Sequence, residues 1–149
     1  VLDLYCGTGT IGLYLAKDAK EVIGIEENGS AIQDAHRNAD INKIENVSFK
    51  EGRVKNILKF QSFSPDCVVV DPPRSGMVPK ALKRCINLKS KRVVYVSCNP
   101  NTLVEDLKAF VDAGYKVTQM QPVDMFPHSL HVEMVVGLDL IANLPNGLE

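Results

Sequence analysis

The sequence is short of several things, and each shortage excludes a class. No apolar run approaches 18 residues, so no stretch reads as a bilayer-spanning helix. Nothing resembles a secretory leader, and four cysteines at positions 6, 67, 85 and 98 form no CxxC or Cys/His metal spacing. Reduced thiols in a cytoplasmic protein fit this usage best. Glycine and proline are few (10 and 8 of 149) and follow no period, which removes collagen-like and low-complexity architectures. Net charge is also nearly absent, at −1, so the whole chain does not advertise a polyanionic partner.

What is present is a globular composition, 45% hydrophobic and 23% charged, in a length suited to one domain. The chain opens at Val1 inside an apolar run and closes on Leu148-Glu149. We read residues 1–147 as one domain cut from a longer protein, and 148–149 as a cloning scar. One charge cluster stands out. Lys80, Lys83, Arg84, Lys89, Lys91 and Arg92 fall within 80–92 with no acid among them, and on pattern alone this is a solvated helix face.

Short apolar runs at 1–5, 21–26, 46–50, 66–71, 92–97, 115–121 and 131–138 alternate with helical patterns near 10–19, 29–42, 53–60, 78–88 and 101–113. The runs near 68 and 93 are valine-rich, as parallel strands covered on both faces should be. In the last helix, Thr102 and Glu105 predict a capping box. Leu103, Leu107, Phe110 and Val111 predict its apolar face, and Gly114 its end. Between 121 and 131 there is no room for a helix, so strands 6 and 7 must pair antiparallel. Five parallel strands and an antiparallel pair predict the α/β, Rossmann-like methyltransferase fold. Its seven-stranded, mostly parallel sheet has an antiparallel last strand and the order 3-2-1-4-5-7-6.

In such a sheet, ligands sit beyond the carboxyl ends of the parallel strands. Gly7-Thr8-Gly9-Thr10-Ile11-Gly12 follows strand 1, where small residues let a cofactor approach a helix start. A tight strand-to-helix turn needs glycine anyway, so this motif alone is weak. Glu26 ends strand 2, where an acid can hold the hydroxyls of an adenosine ribose. With Glu27 beside it, a surface carboxylate is the plainer alternative. A dinucleotide dehydrogenase shares both features, but its acid stands about 20 residues beyond the glycines, and it has no use for a thiol and a carboxylate on the same edge.

Asp71 ends strand 4 and is stiffened by Pro72 and Pro73, with Arg74 and Gly76 following in reach of a phosphate. Cys67 and Cys85 fall on apolar faces, and packing accounts for Cys6. Cys98 instead lies where strand 5 meets a loop and the next helix, a position from which a thiol can act as nucleophile. An antiparallel strand 7 starts on the same edge and brings Glu133 there as a candidate base. His128 and His131 lack a third ligand, so no metal site is expected; they are read as shaping the loop or touching substrate.

Taken together, DLYCGTGTIGLYLA at 3–16, VIGIEE at 22–27, VVDPPRSGM at 69–77, VVYVSCNPNTL at 93–103 and QPVDMFPHSLHVEMVVGL at 121–138 closely resemble the RNA (uracil-5-)-methyltransferases. The Ser-Cys-Asn-Pro and Phe-Pro-His…His-Val-Glu pieces carry the most specificity. The resemblance implies S-adenosyl-L-methionine as cofactor and a uridine of ribosomal or transfer RNA as substrate. It assigns the cofactor to Tyr5, Gly7, Gly9, Thr10, Glu26, Arg53 and Asp71. It makes Cys98 the nucleophile and Glu133 the base, with Asp71 completing the catalytic set. In the family, a glutamine-bearing cofactor motif and RNA-binding regions lie upstream, outside this sequence. Two alternatives stay open at this point: a methyltransferase acting on another base, and a non-catalytic RNA- or cofactor-binding module.

Overall fold

A computed structural model describes residues 1–125, 127–129 and 132–141. The elements run β1 (Leu2–Leu4), α1 (Thr10–Leu15), β2 (Val22–Glu26), α2 (Gly29–Asn42), β3 (Val47–Glu51), α3 (Val54–Phe60), β4 (Cys67–Val70), α4 (Pro79–Asn87), β5 (Arg92–Ser97), α5 (Pro100–Asp112), β6 (Tyr115–Val123) and β7 (Glu133–Leu140). They form one seven-stranded sheet in the order β3-β2-β1-β4-β5-β7-β6. Strands β1 to β5 are mutually parallel, and β7 runs antiparallel to both β5 and β6. The predicted fold class and strand order are what the chain adopts.

The reversal at β1 decides where a ligand can sit. The chain winds outward from β1 to β3, then returns to β4 on the other side of β1, which leaves a crevice beyond the carboxyl ends of β1 and β4. One face of the sheet carries the main core. Leu2, Leu4, Val68, Val70, Val93 and Tyr95 share that face in register and pack with Val54 of α3, Ala81 and Cys85 of α4, and Leu103, Leu107 and Phe110 of α5. Each large side chain so buried contributes about 1.5–3 kcal/mol of transfer free energy.

The start of α5 differs from the sequence expectation. Asn99 is the N-cap, accepting from the Asn101 amide at 3.1 Å. Thr102 lies inside the helix and donates to the carbonyls of Asn99 and Arg74, so no Thr102–Glu105 box closes it. Pro100 explains the shift, because its fixed φ suits the first helical position and moves the cap three residues back, from Thr102 to Asn99. Val111 is 48% exposed and leaves the apolar face to Leu103, Leu107 and Phe110. Cys67 is only half-buried, since it opens β4 at the rim, whereas Cys85 and Cys6 are buried as expected. Helix α1 stops at Leu15, short of residue 19, and β7 begins at Glu133. His131, Phe126 and residues 142–149 lie outside the described residues, with the His131 assignment and the end of the domain among them.

Candidate functional site

Beyond the carboxyl ends of β1, β2 and β4 lies a cavity of about 430 Å³, within the usual range for small-molecule sites. Its lining brings together Tyr5, Glu26, Arg53 and Asp71, four of the residues singled out from sequence. It also includes Glu27, Lys55 and Val78, which sequence reading did not select as lining. Glu27 is held by Arg53 at 3.0 Å, an exposed pair across two loops that no local pattern announces.

The first loop owes its shape to three departures from ordinary backbone. Tyr5 (φ 66), Gly7 (φ 53) and Gly9 (φ 82) all lie in the left-handed region. Tyr5 is the costly one, since a bulky residue rarely sits there. It is held by two amides, those of Tyr5 and Cys6, which both donate to the Ile25 carbonyl at 2.9 and 3.1 Å. A side chain on Gly9 would meet the Phe49 ring at 2.9 Å, whereas one on Gly7 would meet nothing within 4 Å. Gly9 is therefore glycine for packing, and Gly7 presents bare backbone to open space. Thr10 begins α1, with its hydroxyl 3.4 Å from that of Thr8.

Glu26 is fixed before any ligand arrives. One carboxylate oxygen accepts from the Gly7 amide at 3.2 Å and the other from the Asn28 amide at 2.8 Å. Asn28 in turn caps α2. The acid therefore braces the glycine loop against the start of α2 while it lines the cavity.

Asp71, just past β4, donates its amide to the Leu4 carbonyl at 3.2 Å. Partial desolvation at the cavity wall, then the Glu133 carboxylate, raise its pKa above the ordinary value. Glu133 therefore lies within electrostatic reach of Asp71. The β5–β7 ladder ends at the Ser97–Met134 pair, and Cys98 and Glu133 each adjoin that pair. Neither Cys98 nor Glu133 lines the cavity itself. Cys98 is half-buried between two fixed neighbours: the buried Ser97 hydroxyl accepts from the Asn99 amide at 3.1 Å and donates to the Asn99 carbonyl at 3.0 Å.

The loop carrying Asp71 is tied to α5. The Asn99 amide group donates to the Arg74 carbonyl at 2.9 Å. The buried Asp106 carboxylate accepts from the Met77 amide at 2.9 Å and from the Tyr95 hydroxyl at 2.5 Å. Burial first, and the Asp106 carboxylate next, push the Tyr95 phenol well above its usual range. Asp106 escaped sequence reading because it occupies an apolar-face position of an otherwise ordinary helix. Among the described residues no group of three or more His, Cys, Asp or Glu could hold a metal, and no helix is long and apolar enough to cross a membrane.

Beneath the glycine loop lies Asp3, 1% exposed, with neither carboxylate oxygen in a well-formed hydrogen bond. Burial raises its pKa from 3.8 to about 7; the neighbouring Gly12 amide partly offsets this and the Asp71 charge adds to it. The unfolded carboxyl releases its proton near 3.8, the folded one near 7. Titration of Asp3 thus costs nothing below about pH 4, and a penalty on the order of 4 kcal/mol accrues as pH rises to about 7. Asn cannot titrate, so an Asp3→Asn variant is expected to lose that decline in denaturant melts between pH 4 and pH 7.5. An unchanged pH profile would assign the effect to another group.

The chain matches known proteins along nearly its whole length. A relative from Clostridium tetani, described as an RNA methyltransferase, is 50% identical over 138 residues, covering 93% of this chain and 30% of its own. One from Chlorobaculum tepidum with the same description is 49% identical over 140 residues, covering 91% and 29%. This chain therefore spans about three tenths of the length of the curated relatives it matches. Among solved structures, the Pyrococcus abyssi tRNA (uracil-54, C5)-methyltransferase in complex with S-adenosyl-L-homocysteine superposes with a TM-score of 0.80 at 40% identity, covering 92% of this chain and 33% of that one. A precorrin-6y C5,15-methyltransferase from Geobacter metallireducens gives 0.76 at 16% identity, covering 93% and 79%, and shares the fold alone. A family model described as tRNA (Uracil-5-)-methyltransferase matches residues 1–141, and with the sheet order and these relatives it places the chain in that family.

Proposed function

We propose that this chain, through residues 1–147, is the catalytic domain of an RNA methyltransferase. It moves a methyl group from S-adenosyl-L-methionine to carbon 5 of a uridine in transfer or ribosomal RNA. The observation that carries the reading is the convergence of three strand ends on one edge of the sheet. Cys98 and Glu133 each adjoin the last β5–β7 pair, Ser97–Met134, and the Glu133 charge is felt at Asp71 on the cavity wall.

The residues present fit the cofactor. A cavity of about 430 Å³ with three carboxylates, Glu26, Asp71 and the Arg53-paired Glu27, suits a ligand that carries both a ribose diol and positive charge. Tyr5, Gly7, Gly9, Thr10 and Arg53 complete the assigned set, with Gly7 offering open backbone. When bound, the cofactor supplies an electrophilic methyl group. The Cys98 sulfur adds to carbon 6 of the uracil, and the electron pair of the 5,6 double bond moves toward the carbonyl at carbon 4, leaving carbon 5 nucleophilic. After carbon 5 is methylated, Glu133 accepts its proton, the double bond re-forms, and the thiolate leaves. The target must be unpaired or turned out of its stack for the sulfur to reach carbon 6.

RNA containing 5-fluorouridine tests this directly. Fluorine replaces the proton that Glu133 must take, so elimination stops and a covalent protein–RNA complex should persist on a denaturing gel. An amino-directed methyltransferase or a passive binding module forms no such complex, and its absence from the intact protein would overturn the thiol mechanism. Calorimetry tests the cofactor assignment separately. S-adenosyl-L-homocysteine should bind and NAD should not, and Glu26→Ala should weaken binding by roughly tenfold or more, because it removes an acid that also braces the loop. Equal binding of NAD, or affinity indifferent to Glu26→Ala, would withdraw the assignment.

A further inference from the structure

The basic cluster at 80–92 divides in two in the folded chain. Lys91 pairs with Asp66 at 2.8 Å and Arg92 with Asp139 at 2.7 Å, at the end of the sheet remote from the cavity. Those charges are spent on structure. Lys80, Lys83 and Arg84 are different: they project from the outward side of α4, while Ala81 and Cys85 face the core. None pairs with a carboxylate among the described residues. Arg84 reaches across to α3, where its guanidinium donates to the Lys55 carbonyl. Helix α3 adds Lys55 and Lys59 on one side, and it too carries no acid.

Two packed helices thus present five cations and no carboxylate. Their first turns stand at the cavity rim, since Val54, Lys55 and Val78 line it. The far end of α3 carries Phe60, 75% exposed, with the Lys59 ammonium 4.7 Å from its ring centre. Unpaired cations beside an exposed aromatic ring suit a single-stranded nucleic acid, whose phosphates and base faces need both. An acidic protein surface would use the charges and leave the ring idle.

We propose that the α3–α4 face is a docking track for the phosphate backbone of single-stranded RNA flanking the target uridine, with Lys80 and Lys83 as phosphate-binding residues. This rests on the RNA-modifying reading above, and it says where on the domain the strand enters.

The test uses the intact protein and a single-stranded, uridine-containing RNA oligomer, with binding followed by fluorescence anisotropy across a salt series. Each cation that neutralises a phosphate of a single strand steepens the slope of log K against log salt by about 0.7. In a Lys80→Gln/Lys83→Gln variant the slope should therefore be shallower by about 1.4. Lys80→Arg/Lys83→Arg should keep it, and so should Lys17→Gln/Lys20→Gln, which lie away from this face. Affinity for S-adenosyl-L-homocysteine reports that the variant is folded and that the cofactor reading stands on its own. An unchanged slope in the glutamine variant, with that affinity intact, would overturn the proposal and leave an acidic protein as the face's partner. The 5-fluorouridine complex is scored in the unaltered protein, with both lysines present, so failure of the functional reading is told apart from failure of the track.

Discussion

A Glu133→Gln variant of the intact protein is expected to accumulate methylated RNA covalently joined to Cys98, seen as a heat-stable shifted band on a denaturing gel. Glutamine keeps the shape of the side chain but cannot accept the carbon 5 proton, so addition and methyl transfer proceed and elimination stalls. Loss of a positioned base typically slows a step by about 10²- to 10⁴-fold, and turnover should fall in that range. Cys98→Ala should behave in the opposite way. It removes the group that activates carbon 5, so both turnover and the covalent band should vanish. The two variants therefore separate the roles proposed for the two residues that adjoin the last β5–β7 pair. Normal turnover in Glu133→Gln would remove Glu133 from the base role. A covalent band surviving Cys98→Ala would do more damage, because it would reassign the nucleophile.

Asp106→Ala should be the most destabilising single change near the site. It strips the Met77 amide and the Tyr95 hydroxyl of a shared acceptor in a place where water does not reach. Each buried donor left unsatisfied costs about 1–3 kcal/mol, so a loss of roughly 3–5 kcal/mol is expected. For a domain of this size that lowers Tm by about 6–20 °C. The effect should reach function as well. Asp106 anchors Met77, Asn99 anchors Arg74, and between them the Asp71 loop is held against α5. Both donors share one carboxylate oxygen, which Asp106→Asn keeps as its amide oxygen, so that variant should lose much less. Thermal melts of the three proteins check the order. An Asp106→Ala protein melting within about 2 °C of the parent, less than the shift expected for 1 kcal/mol, would mean the network carries little.

The amino-acid sequence by itself determined the architecture. Alternating valine-rich runs and helical patterns can be buried only as a parallel sheet between helices, and the gap at 121–131 is too short for another crossover, so the last strands must reverse. It also determined which residues stand at strand ends, because strand ends follow from where apolar runs stop. Tyr5, Glu26, Asp71, Cys98 and Glu133 were legible for that reason. Helix caps were less so: Thr102 and Glu105 have the spacing of a capping box, but Pro100 takes the first helical position and gives the cap to Asn99.

Only the tertiary structure decided which strand ends come together. That Cys98 and Glu133 both adjoin the Ser97–Met134 pair depends on a register between strands far apart in the chain, set by packing of whole faces and by no local signal. The same is true of charge. Six cations within 80–92 look alike in sequence, yet Lys91 and Arg92 find Asp66 and Asp139, and Lys80 and Lys83 find no acid among the described residues. Asp3 is the sharpest case. In sequence it is an ordinary acid in a strand. The fold removes it from water without a well-formed hydrogen bond in return, and the resulting shift to about 7 comes mainly from desolvation, which no residue pattern encodes.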